Sequence, residues 1–556
     1  MVSFYYLTIL DAITALYRDA VIIGGGHNGL VAAAYLAKAG KQVCVLEKRH
    51  VIGGAAVTEE IFPGFLFSRA SYVFSLFRPD IIEYLELKRR GLHIYSRDPG
   101  SFTPTLNQKS LLLWSDMEKT QQSIGQFSKA DALMYPKYIK DLEFLVQNFI
   151  PMLDEIPPDA SVLFDSGATV RRRLEAIRAI WNLSCHVRKM RGEIGTFLEF
   201  LTAPATKILN RYFESEILKT TLATDATIGA AISPSTPGSA YILFHHVMGE
   251  VNGVKGAWGY VKGGMGQIST VIAESAQEAG AEIVVNADAQ RIMTMEGKVS
   301  GVCLNDGSVI HCDCVLSNAD PGSTMLGLIQ DHELPIDVRS HFMRSWQCEP
   351  ASTKINVALD RLPDFTCRPN GSEEVSPLPH HSATIHFEDT LQQLEDAFMD
   401  YKRGSASSRP IIEMVIPSSV DSSISPPGKH VALLFVQYTP YKPQEGAWNA
   451  STRENFARKV FNVIDQYAPG FSQSIINYEI LTPPDLEEVF SLPRGNIFHG
   501  SMGLDQLFWL RPMKGMSDYR TCIRGLYLCS AGTHPGGGVM GACGRNAAMV
   551  CLRDMC

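Results

Sequence analysis

A discontinuous α/β fold, with a parallel sheet begun near the N-terminus and completed far downstream, is predicted by three stretches of this 556-residue sequence. The first is Asp19 to Leu30, where an apolar β-branched run enters Gly24-x-Gly26-x-x-Gly29 and then a helix-forming segment. The second is Gly263 to Ser317, where alternating helix and strand signals return after a long interval of different character. The third is Arg524 to Ala548, a short strand running into a glycine-dense turn and a small-residue helix.

In the first stretch, Val21 to Ile23 reads as a strand and Leu30 to Ala37 as a helix, joined by the turn of a Rossmann-like dinucleotide fold. Gly24 permits the sharp turn, Gly26 removes a Cβ that would hold a pyrophosphate off the backbone, and Gly29 lets the helix approach the strand. His27 and Asn28 fall at the helix N-terminus, where unpaired N–H groups and the dipole favour phosphate. The helix stops at Gly40. A second strand, Gln42 to Leu46, then delivers Glu47 to the position where a carboxylate accepts ribose hydroxyls, and Lys48, Gly53 and Gly54 follow.

Composition narrows the classes. A chain with 45% hydrophobic and 19% charged residues can bury a large core and is not a disordered polymer. A net charge of −8 argues against a general nucleic-acid binder, which would carry a basic surface. No uncharged apolar run reaches the ~18 residues a membrane span needs. Twelve cysteines are present, but none forms Cys-x-x-Cys, so a thioredoxin-type dithiol is not expected and the scattered thiols fit a reducing compartment. The leader, residues 1–18, contains an apolar run from Phe4 to Leu10 but lacks the basic start and cleavage spacer of a secretory signal and the Arg-rich, Ser-rich character of a transit peptide.

Between Val57 and Phe74 aromatics are dense, fitting either core packing or the wall of a pocket against a flat ring. Arg69, a cation among apolar neighbours, needs a partner, either a protein group or a cofactor or substrate anion. From about Ser101 to Gly249 the apolar period shifts to 3.6. Ile139, Leu142, Val146 and Phe149 share one helix face, as do Val170, Leu174, Ile177 and Trp181. Arg171, Arg172, Arg173, Arg178, Arg188, Lys189 and Arg191 give that helical insertion a basic bias, compatible with a solvated face or an anionic membrane surface. Asp225 with His245 and His246 could transfer protons or be satisfied core groups.

After Gly266 a helix (Gln267 to Ala279), a strand (Glu282 to Val285) and hairpins turning at Glu296-Gly297 and Asp306-Gly307 lead to a last strand, Cys314 to Leu316. Strand-like pieces at Thr353 to Leu359 and His430 to Tyr438 suggest an antiparallel sheet in a second domain, shared with the helical insertion. At Arg524 to Ala548 the glycine-dense turn lets backbone N–H groups approach a flat ring, and the helix that follows would stabilise negative charge on it. Two phosphate-friendly turns at opposite ends of one chain suggest a single long ligand, FAD rather than NAD, and no second GxGxxG offers NAD(P)H its own domain. The FAD-binding domain is then residues 19–100, 250–345 and 495–556, and the substrate domain 101–249 and 346–494.

The blocks Gly24 to Gly29, Glu47, Gly53-Gly54 and Gly532 to Gly538 resemble the phytoene desaturase-like branch of the FAD-dependent amine oxidase-type flavoproteins, which includes carotenoid and retinoid oxidoreductases. The resemblance implies a GR2-type FAD domain with an α+β substrate domain. It implies that Val21 to Gly54 hold adenosine and pyrophosphate, that Ala289 lies on the adenine side, and that Gly532, Val539 and Met540 lie by the ribityl chain and ring. It also implies a mitochondrial protein of the matrix or the inner face of the inner membrane, with peripheral association there and a regulatory role; a cytoplasmic location is the alternative. The expected activity is a dehydrogenase, desaturase or oxidase acting on an apolar or amphipathic substrate, with no metal. The other reading is a flavin-stabilised interaction protein that turns nothing over. Arg69, His499 and His534 are the candidate catalytic residues.

Overall fold

The computed structural model describes residues 17–164, 166–371 and 377–555. Apart from Tyr17 and Arg18, the leader lies outside the described residues. The chain begins with β1 (Arg18–Ile23), α1 (His27–Lys38) and β2 (Val43–Glu47), then crosses to β3 (Ser101–Pro104) and β4 (Ser110–Leu113). A helical tract follows that includes α2 (Lys129–Asp154), α3 (Val170–Met190), α4 (Glu216–Thr224) and α5 (Ser239–His246). It returns through α6 (Gly266–Glu278), β5 (Glu282–Val285), β6 (Ala289–Met295), β7 (Lys298–Leu304) and β8 (Val309–Ser317). The last third supplies β9 (Ser352–Leu359), β10 (Thr384–His386), β11 (Ile411–Val415), β12 (His430–Gln437), α7 (Ala450–Tyr467), β13 (Ile475–Leu481), β14 (Leu526–Leu528) and α8 (Ala542–Met555).

Two seven-stranded sheets organise these elements. In the first the order is β5-β2-β1-β8-β7-β6, with β14 added on β8. Its β5, β2, β1, β8 and β14 run parallel, with Ala20 opposite Val43 and Cys314, and Val315 opposite Leu526. The β6-β7-β8 meander is antiparallel and turns at the two expected glycine pairs. A parallel strand buried on both faces must be apolar throughout, and Val21, Ile22, Val45 and Leu316 are all at or near zero exposure. The second sheet runs β13-β9-β12-β11-β10-β3-β4 and is antiparallel except where β10 meets β3.

α1 is buried along its length from Asn28 to Ala37. Its alanines, Ala32 to Ala34, combine high helix propensity with small volume, and they allow the sheet, α6 and α8 to cover it together. At α8 the fit depends on Gly544, where a Cβ would stand 2.0 Å from the carbonyl oxygen of Asn28.

The α2 face behaves as its spacing predicts. Leu142, Val146 and Phe149 are buried and Ile139 is packed beside them, in a core that also holds Tyr138, Phe200 and Phe244. The α3 stripe does not. Val170, Leu174, Ile177 and Trp181 are 52 to 75% exposed, so the helix period is right but none of the described residues covers the face. Arg178, Arg188 and Lys189 beside it are exposed too, whereas Arg171 pairs with Glu175 and Arg172 with Asp518. Among the described residues no helix is long and apolar enough to cross a membrane.

Replacing Gly544 by Ala should push α8 off α1 and cost on the order of 1–3 kcal/mol. Gly195→Ala, on the helix Ile194–Thr202 where an added Cβ meets nothing within 4 Å, should keep or slightly raise the denaturation midpoint.

Candidate cofactor and active site

One cavity of about 930 Å³ receives residues from both glycine corners and from the second sheet. From the first corner Gly24, Gly26, His27, Asn28, Glu47, Lys48 and Gly54 line it, and from the last Ala531, Gly538 and Val539. Ala289, at the start of β6, lines it as well. Val21, Gly29, Gly53, Gly532 and Met540 stand behind the wall instead. Val21 is core, Met540 packs into the cluster around α2 and α5, and a Cβ on Gly532 would meet Pro321 at 2.2 Å. Gly29 serves closeness, since a Cβ there would lie 2.2 Å from the Gly24 carbonyl. Gly26 does double duty: it faces the cavity, and an added Cβ would press on Asn318 Nδ2 at 2.8 Å.

The first corner fits a dinucleotide. α1 starts at Gly26 with no side-chain cap and no acidic residue in its first turn, leaving its leading N–H groups for an anion. Glu47 accepts from Gly25 N and Arg49 N, both at 2.8 Å, using one lone pair on each carboxylate oxygen and leaving others for ribose hydroxyls. Burial pushes its carboxyl up, and the two N–H donors oppose that. His27 Nε2, Asn28 Oδ1 and His499 Nδ1 are buried without a protein partner, so polar capacity remains around this end of the cavity.

The three catalytic candidates separate. His499 lines the cavity, but burial lowers it to about 4 and the Arg511 charge adds to that. Arg69 does not line it: its guanidinium is held by Glu59 (2.9 Å) and Glu479 (2.6 Å) and stacks on Phe490. The partner that Arg69 requires is therefore protein, not cofactor or substrate. His534 is turned away, with Nε2 against Met152 O at 3.3 Å and its ring by Phe508. Of the central trio, Asp225 and His246 line the cavity, while His245 contacts Gly537 O at 3.0 Å. Among the described residues no group of three or more His, Cys, Asp or Glu is placed to hold a metal.

Residues not singled out by the sequence make up the floor. Lys354 on β9 lies opposite Phe435 on β12, Phe435 opposite Glu413 on β11, and Glu413 opposite His386 on β10. All four face the cavity as one row across the sheet. Burial lowers the Lys354 amine to about 7 against the opposing charge of Glu479. Asp225 is pushed up to about 7 by burial, with the Glu413 charge adding and Arg97 opposing.

Arg511 anchors the last corner. It is fully buried and donates to the carbonyls of Phe498 (2.7 Å), Ala531 (2.8 Å), Ser501, Gly500, Gln506 and Thr533. One guanidinium with five donors thus fixes two cavity-lining segments to each other.

A parallel sheet whose first helix opens toward phosphate, joined by a distant glycine corner on the same cavity, marks a protein of the dinucleotide-binding class built on two sheets. The family model for flavin containing amine oxidoreductases matches residues 29–552, and the chain belongs to that family; its cofactor is FAD. It is 50% identical over 97% of its length to the mouse "Pyridine nucleotide-disulfide oxidoreductase domain-containing protein 2", covering 94% of that protein. It is 26% identical to a limonene dehydrogenase component of Castellaniella defragrans, covering 97% of this chain and 95% of that one. With a lycopene-forming phytoene desaturase of Pseudescherichia vulneris the figures are 25%, 97% and 100%. An oxidoreductase from Methanosarcina mazei shares the fold with a TM-score of 0.58 at 16% identity, over 96% of this chain and 99% of that one. A redesigned putrescine oxidase does so with 0.58 at 14%, over 97% and 99%.

Asp225 keeps its proton to about pH 7 in the folded chain but only to near its ordinary 3.8 when unfolded. Its contribution to stability is therefore full below pH 3.8 and is lost as pH rises through 7. Asp225→Asn should gain stability relative to the parent between pH 5 and 8, a trend read by denaturant titration at each pH.

Proposed function

We propose that this protein is an FAD-dependent dehydrogenase, desaturase or oxidase acting on an apolar or amphipathic substrate. The observation that carries the reading is the shared cavity. Its corners suit a flavin nucleotide, and its remaining walls are Tyr135, Tyr138, Leu142, Val146 and Trp258 above the sheet floor. Bound FAD supplies the acceptor for a hydride or for two electrons with protons. The chain's own part is to hold the substrate, exclude water and keep a proton-handling group near neutrality. Lys354 and Asp225, each brought to about 7, are cavity groups with that property. The limonene dehydrogenase component and the phytoene desaturase, by their names, act on hydrocarbons, which supports an apolar body for the substrate.

The purified protein should be yellow, and anaerobic addition of a suitable substrate should bleach it. Gly26→Val should carry markedly less flavin while retaining its far-ultraviolet circular dichroism. Colourless parent protein that takes up no added FAD would refute the assignment.

The exposed α3 face favours a second, compatible role as a peripheral protein on an anionic bilayer, with the mitochondrial inner membrane the surface the family resemblance suggests. Trp181, Leu174 and Ile177 offer apolar and aromatic area, and Arg178, Arg188 and Lys189 offer positive charge, the combination that anionic lipid complements. The protein should float with vesicles containing phosphatidylglycerol and remain behind with pure phosphatidylcholine. Trp181→Glu should abolish flotation; equal recovery with both vesicle types would count against the electrostatic component.

A further inference from the structure

The Lys354 amine on the cavity floor is held from behind by a chain of hydrogen bonds. Lys354 and Asn356 stand two positions apart on β9, so their side chains share one face of the sheet, and both are buried. Lys354 Nζ donates to Asn356 Oδ1 at 2.6 Å. Asn356 Nδ2 donates in turn to Glu479 Oε2 at 2.9 Å and to the Arg69 carbonyl at 3.2 Å. Glu479 lies directly opposite Asn356 on β13. Both of its oxygens are taken by Arg69, whose Nη2 and Nε donate at 2.6 and 3.2 Å. Arg69 shares Glu59 with Arg49 behind that.

The chemistry of these groups fixes the sense of the Asn356 amide. A carboxylate and a backbone carbonyl only accept, so Nδ2 must point at Glu479 and Arg69, and Oδ1 must point at Lys354. Turning the amide over would set its oxygen against two acceptors. Asn356 therefore stands between the amine and the Glu479 carboxylate. Diagonal neighbours on paired strands are ~7–8 Å apart, within reach of a long side chain, so without the amide Lys354 could close on Glu479. Of the other groups around the amine, the Tyr72 ring centroid is 5.3 Å from Nζ, and Tyr72's hydroxyl is spent on Glu413 at 2.8 Å. Phe435 separates Lys354 from Glu413 in the row across the sheet. His386, Arg97 and Asp225 line the same cavity, but the charge that acts on the amine is Glu479.

We propose that Asn356 is a positioning residue, an amide spacer that holds the Lys354 amine off the Glu479 carboxylate and keeps it on the cavity. A lysine in contact with a carboxylate keeps its proton, because the opposite charge favours the ammonium form. One held against a neutral amide in a dry pocket releases it far more readily. Arg69 completes the arrangement by occupying Glu479, which gives that buried ion pair a part in the site although Arg69 does not line it. The role deepens the oxidoreductase reading and rests on it for its use, since a base on the cavity takes up the proton that leaves with the hydride; the proton affinity of the amine does not depend on that reading.

The test is competitive labelling of the FAD-loaded protein with trace acetic anhydride between pH 5.5 and 10, against an added small-amine standard. The neutral amine attacks one anhydride carbonyl, acetate leaves and the amine proton passes to buffer, so the extent of acetylation of the Lys354 peptide, read by mass spectrometry, reports its titration. In the parent the midpoint should lie near 7. Asn356→Ala should raise it by at least about one pH unit, as expected for a new carboxylate contact, and Asn356→Ala with Glu479→Gln should bring it back to the parent value or below. Asn356→Ser, which keeps a polar group but removes the amide, carries the same expectation as Asn356→Ala should the latter fail to fold. A Lys354 that reacts only above about pH 9 in the parent, or not at all, overturns the assignment, as does a midpoint unmoved in the single variant. Flavin content measured on the same samples separates the two readings. Parent protein without FAD that shows these shifts would end the oxidoreductase reading and keep the spacer, whereas FAD-loaded protein with an unmoved midpoint would do the reverse.

Discussion

The closeness of α1 to its surroundings is the constraint on which the rest depends. A helix buried along nearly its whole length has no polar face to give to water, so it must be covered on every side. Two missing side chains make that possible, at Gly29 against the β1 turn and at Gly544 against Asn28. Because α8 packs directly on α1, the glycine corner just ahead of α8 is delivered to the uncapped end of α1. Segments more than 500 positions apart in the chain thereby face one cavity, and a ligand long enough to touch both corners is held from its two ends.

Burial also sorts the ionisable groups of that cavity. His27 is lowered to about 3, and His246 and His499 to about 4, chiefly by loss of water. At neutral pH these rings are uncharged and poor proton donors, since a useful acid or base has a pKa near the working pH. Lys354 and Asp225 are displaced by the same force but begin on opposite sides of neutrality, so both arrive near 7. The desolvation that removes the histidines from contention therefore brings the lysine and the aspartate into it. Arg511 shows the complementary case: lowered only to about 10, it stays charged and spends that charge on backbone carbonyls.

The first sheet was legible because its signals are local. Glycine spacing, the Glu-Gly and Asp-Gly turns and unbroken apolar strands each act within a few residues, and the structure has these elements in the same order, with β1, α1 and β8 longer than the sequence signals marked. The cavity floor was not legible, for a geometric reason. In Ser-Thr-Lys-Ile-Asn-Val-Ala-Leu the odd-numbered Ile355, Val357 and Leu359 pack toward α7, and the even-numbered residues face the other way. Alternation marks Lys354 as lying on the opposite face, but only the cross-strand register brings it into line with Glu413 and His386, and register between distant strands is not written in any one of them. Arg69 and His534 misled for the related reason that a polar residue in an apolar context signals a partner without naming it. For Arg69 the partners are Glu59, ten positions away, and Glu479, 410 positions away. The α3 stripe shows the same limit: its period is correct, but only the tertiary arrangement reveals its exposure.

The two sheets contribute unlike things to the one cavity, and this bears on how the chain can favour a reaction. The first presents backbone: helix N–H groups and bare glycine corners, suited to a nucleotide whatever the second ligand is. The second presents side chains in register, Lys354, Phe435, Glu413 and His386, and Arg97 and Asp225 line the same cavity. No cysteine is among the cavity's lining residues, and every cysteine among the described residues is unpaired, so the described walls place no dithiol beside the nucleotide corners. The floor and the aromatic walls are the parts of the cavity where side chains rather than backbone set the chemistry. Under the proposed activity, a change in the row on β9 to β12 alters the substrate face of the cavity without touching the glycine corners, so function is set by the site rather than by the fold.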